Sequence, residues 1–236
     1  SRFPVVPDSV RQLRHDLVPC PHYRKVTAAP PDPAADMVSW ERPILYMQLA
    51  LGEQGILHLI NLHLKSKLPT YIDGQKVDRF TWRTVYGWAE GSFMSSMKRV
   101  GQALETRFLI DSIFDQGDAE GTPPMIAVCG DFNADMDSVP LNAIRGPIEE
   151  TGNPELVDRV LAPCEMSVPE PARFTLLHLG QGEMIDHILV SRALLPFYRG
   201  TEIHNEILPD ESGAFRTDVK FPESDHAPVV AEFILE

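Results

Sequence analysis

Two apolar runs, residues 44–51 and 56–64, are separated only by Gly52-Glu53-Gln54-Gly55. A connection that short cannot cross a sheet and can only reverse the chain, so the pair is expected as an antiparallel β-hairpin. Further strands are expected within 125–128, 173–177, 184–191 and 228–235, while 141–148 and 191–196 are too short to assign. The best helix is 93–114: Ser95 or Ser96 can cap it, Met97, Val100, Leu104 and Phe108 form an apolar stripe, and Gly117 follows its end. Proline recurs at Pro4, Pro7, Pro19, Pro21, Pro30, Pro31 and Pro33, so residues 1–40 read as loop with one short helical stretch over 9–17. Strands outnumber helices and are joined by hairpins. That pattern points to one α+β domain over 1–236, with helices flanking layers of sheet, and against a doubly wound parallel sheet.

A 236-residue chain with 43% hydrophobic residues has enough apolar material for one large core, which excludes a chain dominated by disorder. No apolar run reaches bilayer length and Ser1-Arg2-Phe3-Pro4 lacks signal-peptide character, so a soluble monomer without stable membrane insertion is expected. Cys20, Cys129 and Cys164 are odd in number and lack zinc-ligand spacing, which favours a reducing, cytoplasmic setting. The net charge of −13 argues against non-specific coating of nucleic acid or anionic membrane. Residues 65–107 depart from that average, with eight bases against four acids. Tyr71, Phe80, Trp82, Tyr86 and Trp88 interleave with those bases, a pattern that suits either packing of the rings or stacking of a nucleic acid strand.

Four polar clusters stand at expected strand ends. They are Asn61-Leu62-His63 followed by Lys65-Ser66-Lys67, Gly130-Asp131-Phe132-Asn133, Asp186-His187, and Ser224-Asp225-His226-Ala227-Pro228. The second continues to Asp135 and Asp137, and taken alone it could be no more than turn chemistry. Together the clusters supply carboxylates, an amide and histidines. Hydrolysis of a phosphate ester requires those types, for a hard divalent cation, an oriented water and a proton donor.

In this order the motifs resemble those of the endonuclease/exonuclease/phosphatase superfamily, over residues 38–236, with Arg173-Phe174-Thr175 ahead of Asp186 also in keeping. The resemblance implies a deoxyribonuclease I-like, four-layered α/β/β/α sandwich with its site at one end. It implies that Asp131 orients or deprotonates water and that Asn133 holds phosphate or metal. It places His226 at the phosphorus with Asp186 fixing its tautomer, and gives His63 a phosphate oxygen or the leaving group. Mg²⁺ or Mn²⁺ would be held by Asp131, Asn133, Asp225 and His226. The family's early asparagine strand and its Gln-Glu pair are not recognisable upstream of Ile44, where Glu41 is the sole nearby candidate and lies in a different context. The domain is therefore expected to be N-terminally incomplete, to bind metal weakly and to turn over little by itself. The leading expectation is a metal-dependent phosphodiesterase or nuclease acting on a phosphate ester, with nucleic acid as a candidate. A phosphatase or phospholipase-like enzyme on small or lipid phosphates is the second reading, and a non-catalytic binding module of the same fold the third.

Overall fold

The computed structural model describes residues 3–216 and 224–235. Its main element is a six-stranded sheet, which runs in the order Arg11–Leu13, Ile44–Ala50, Ile56–His63, Met125–Asp131, Asp186–Val190, Ala162–Pro163. Every neighbouring pair is antiparallel except the middle one, Ile56–His63 beside Met125–Asp131. A parallel pair needs a crossover, and the helix Val85–Glu120 provides it. The hairpin expected over 44–64 is present, closed by the 3₁₀ turn Gly52–Gln54. Residues 9–17 are not helical. Arg11–Leu13 pairs with the edge of the sheet instead, burying Leu13, because edge hydrogen bonds outweigh a weak local helical preference. A strand not anticipated from the sequence, Tyr198–Ile203, pairs with Val229–Phe233 in a separate two-stranded sheet.

Side-chain alternation divides the main sheet between two cores. Ile44, Tyr46, Ile60, Leu62, Ile126, Val128 and Leu189 face the helices, where they meet Ala103, Ile110, Ile113 and Phe114 of the long helix and Leu141 and Ile144 of the helix Val139–Arg145. Leu57, Leu59, Met125, Ala127, Ile188 and Val190 face the other way, against Tyr198, Ala231 and Phe233 of the two-stranded sheet. The α+β class is as expected, and the described residues supply helix, sheet and second sheet as successive layers.

The long helix differs from its expected form in extent and in orientation. It starts at Val85, where the Thr84 hydroxyl accepts the Gly87 N–H, and ends at a left-handed Gly121; Ser95 is an interior residue that donates to Leu68 O. Leu104 and Phe108 of the expected core stripe are exposed. The buried face carries Glu90, Gln102, Glu105 and Thr106 among its apolar residues, which is why hydrophobicity alone misplaced it. These polar groups hold irregular chain. The Glu105 carboxylate accepts the His15 and Leu17 N–H groups and the Trp40 indole N–H. Glu90 accepts the Val26 and Thr27 N–H groups and the Tyr23 hydroxyl. Burial opposes the Glu90 charge, but the bonds from Thr27 and Val26 prevail and hold its pKa below the ordinary value.

Gly130 fixes how closely the two central strands approach. Its φ of 131° is unfavourable for other residues, and a Cβ there would stand 2.0 Å from Leu62 O. Gly130→Ala is therefore expected to destabilise the domain by about 2–3 kcal/mol in urea unfolding. A loss below about 0.5 kcal/mol, the range of a neutral surface change, would contradict this reading of the close approach.

Candidate active site

The three central strands end in register. His63 is the cross-strand partner of Asp131, and Asp131 that of Asp186. Counting by twos along each strand places all three side chains on the face turned towards the two-stranded sheet. His63 Nε2 lies 3.2 Å from Asp131 Oδ2. Asn133 closes the turn that follows, with a left-handed φ of 48°, a conformation that asparagine tolerates better than most residues. Its backbone N–H donates to Asp131 Oδ1 and its side-chain amide to Asp131 Oδ2, each at 2.8 Å. The same amide donates to Leu64 O at 3.2 Å, tying the turn to the end of the His63 strand. The run after Gly130 is thus both a tight turn and a cradle for one carboxylate.

His226 reaches this row from the segment that leads into Val229–Phe233, and its Nδ1 lies 2.8 Å from Asp186 Oδ2. Thr175 aligns the two. Its hydroxyl accepts the N–H groups of Ile185 and Asp186, and its carbonyl accepts the N–H of Ala227. The hydrogen bond to Asp186 raises the His226 pKa to about 9 against the effect of burial, with Asp131 adding to the rise. Burial pushes the Asp131 carboxyl above its ordinary value, an effect that the facing Asp186 increases and the Asn133 N–H opposes. Burial and Arg42 lower the His63 imidazole, so near neutral pH the site holds one charged histidine and one neutral one.

Asp131, Asp186 and His226 each bring a ligand atom within 4.8 Å of the others. Asp225 is exposed beside His226 and is not in that group, and Glu41 pairs with Lys98 at 3.0 Å and Lys65 at 3.9 Å instead of joining it. Asp135 and Asp137 are exposed and outside the group. His187, next to Asp186, faces the opposite side. There its Nε2–H donates to Ala134 O, and its Nδ1 lies 2.6 Å from a Glu165 carboxylate that is as buried as the imidazole. It buttresses the Asn133 turn from behind. Sequence reasoning overlooked Glu165, and also Glu183, which shares Lys67 with Asp135 at 2.7 and 2.9 Å. Neither stands in a motif; only pairing across the fold reveals them.

The profile of the Endonuclease/Exonuclease/phosphatase family matches residues 1–226. The chain belongs to this family of phosphoric-ester hydrolases. No curated protein sequence matches it. Among solved structures it is similar to an endonuclease/exonuclease/phosphatase from Beutenbergia cavernae, at 14% identity and a TM-score of 0.50, covering 99% of this chain and 46% of that one. The 3'-5' exonuclease NExo from Neisseria meningitidis aligns at 19% identity and a TM-score of 0.46, over 94% of this chain and 72% of its own. An AP endonuclease from Archaeoglobus fulgidus aligns at 14% identity and 0.44, again over 94% and 72%. No helix among the described residues is long and apolar enough to cross a membrane.

The His226–Asp186 pair has a testable linkage to stability. A histidine whose pKa is raised on folding contributes stability that is fully present below the unfolded value near 6.5 and is lost as pH rises through about 9. Asp186→Asn should therefore cost about 1.5–3 kcal/mol at pH 6 and little at pH 10. Unfolding curves at the two pH values, with the His226 pKa followed by NMR, read this directly. An unchanged titration in the variant would remove Asp186 as the cause.

Proposed function

We propose that this site hydrolyses phosphodiesters with the help of Mg²⁺ or Mn²⁺. The reading is carried by the row of His63, Asp131 and Asp186 on one face of the sheet, closed by a protonated His226. The donor set suits a hard cation: two carboxylates face each other, and burial opposes the charge of one of them. Asp131, Asp186 and the carbonyl oxygen of Asn133 would hold the ion. His226, protonated through Asp186, is better fitted to meet phosphate than to ligate metal. When bound, the cation would polarise a phosphoryl oxygen.

The chain's own groups account for the proton transfers. Asp131 orients a water and takes its proton as the new P–O bond forms. His226 neutralises charge on the phosphoryl group and gives its proton to the oxygen that leaves. His63, neutral at the same pH, donates a hydrogen bond to another phosphoryl oxygen. Facing the phosphate with one cationic and one neutral imidazole divides the work by charge, a division in keeping with the raised His226 and lowered His63 pKa.

Hydrolysis of bis-p-nitrophenyl phosphate tests the proposal. With so few carboxylates converging, metal saturation is expected only at about millimolar concentration. Turnover should disappear with chelator and fall by about 10²–10⁴-fold in Asp131→Asn and in His226→Ala. Turnover that ignores chelator, or that survives both substitutions, would refute the proposal, and its complete absence at high metal would favour a binding module.

A further inference from the structure

The segment between the His63 strand and the long helix leaves the sheet beside the site and then runs along the helix. Lys67 is paired with Asp135, four residues beyond Asp131. The Arg99 guanidinium donates to Lys65 O and Ser66 O, Ser95 donates to Leu68 O, and the Thr70 N–H donates to Gly91 O. Beyond that anchor lie two hollows that meet at Trp82. One is walled by Tyr71, Lys76, Arg79, Phe80 and Trp82, the other by Trp82, Arg83 and Trp88.

Of the aromatic residues here only Trp82 is half-buried, packed against the cluster of Val38, Ile72 and Met94. Tyr71 is 59% exposed, Tyr86 60% and Trp88 48%. The bases stand between them: Lys76 lies over the Trp82 ring at 4.5 Å, Arg79 over Phe80 at 5.2 Å, and Arg83 is exposed. The acids of the same stretch are already engaged. Asp73 is paired with Lys25 at 2.8 Å, and Asp78 accepts the Phe80 and Thr81 N–H groups of its own turn. What the surface offers a visitor is therefore flat rings and positive charge, on a chain whose net charge is −13.

We propose that this face, from Tyr71 to Trp88, is a platform for single-stranded nucleic acid, which leads a phosphodiester backbone towards Asp131. Rings stack with any base, and interleaved cations meet the phosphates that accompany each base. An anionic lipid surface also takes up rings and bases, but it meets them as a plane, whereas a strand can follow the two hollows that meet at Trp82 and carries a phosphate at every step. The proposal rests on the phosphodiesterase reading of the site, although binding can be measured without hydrolysis.

The test is fluorescence anisotropy with labelled dT12 and rU12 oligonucleotides in chelator, so that no turnover is needed. Both should bind. Tyr71→Ala with Trp88→Ala should weaken binding by roughly tenfold or more, with thermal unfolding unchanged because both rings are exposed. Replacing Lys76, Arg79 and Arg83 by alanine should reduce the slope of log affinity against log salt by about 2. Asp131→Asn should retain binding while losing hydrolysis, which separates failure of the platform from failure of the site. Absence of oligonucleotide binding would overturn the proposal, as would binding indifferent to the ring variants. Sedimentation with phosphatidylcholine/phosphatidylserine vesicles that requires Tyr71 and Trp88, without oligonucleotide binding, would assign the face to a membrane surface instead.

Discussion

The register of Met125–Asp131 between its two neighbours is the constraint on which the rest of the structure depends. A slip of one residue would turn Asp131 towards the helical core and bring Gly130, which has no side chain, into the row with His63 and Asp186. His63 and Asp186 stand directly opposite Asp131 only in the observed register. The parallel pairing on one side also demands a crossover, so the long helix follows from the same choice. The antiparallel pairing on the other side sets two carboxylates directly opposite each other, an arrangement that is unfavourable without compensation. Asn133 and His226 supply that compensation, so the groups that relieve the strain are those to which the proposed chemistry is assigned.

Much of this was legible in the sequence, and the parts that were not have identifiable physical causes. The strands from 44 to 64 and at 125 announce themselves through apolar runs bounded by glycine, and the polar clusters at their ends hold the residues that converge. The short strands at Arg11 and Tyr198 carry no comparable signal, because each is defined by the edge it pairs with. The long helix shows the limit of periodicity most clearly. Met97, Val100, Leu104 and Phe108 form a regular stripe, yet the face that packs inward is the one with Gln102, Glu105 and Thr106. Those residues are buried because backbone groups elsewhere need partners, and no local pattern encodes that need. For the same reason Asp186, expected beside His226, stands in the group of close ligand atoms, whereas Asp225, expected there too, lies on an exposed turn outside it.

Support for the site comes from residues that never face it. Thr175 holds the Asp186 backbone and the residue after His226, while His187 and Glu165 hold the Ala134 carbonyl behind the Asn133 turn. All three are fully buried or nearly so, and each satisfies polar groups that would otherwise be stranded. Precision at the row thus comes from hydrogen bonds on both faces of the sheet, which is how a partly exposed site can keep its geometry.

The two buried carboxylates of the long helix also bear on how the chain assembles. Glu105 binds the backbone at His15 and Leu17, and Glu90 binds it at Val26 and Thr27, so the irregular N-terminal stretch is organised by residues more than sixty positions downstream. During synthesis the N-terminal stretch leaves the ribosome well before its anchors exist. It has little regular structure of its own to adopt in the meantime. Its ordering therefore waits on the helix, and a stretch made earlier than its anchors settles only once they are in place.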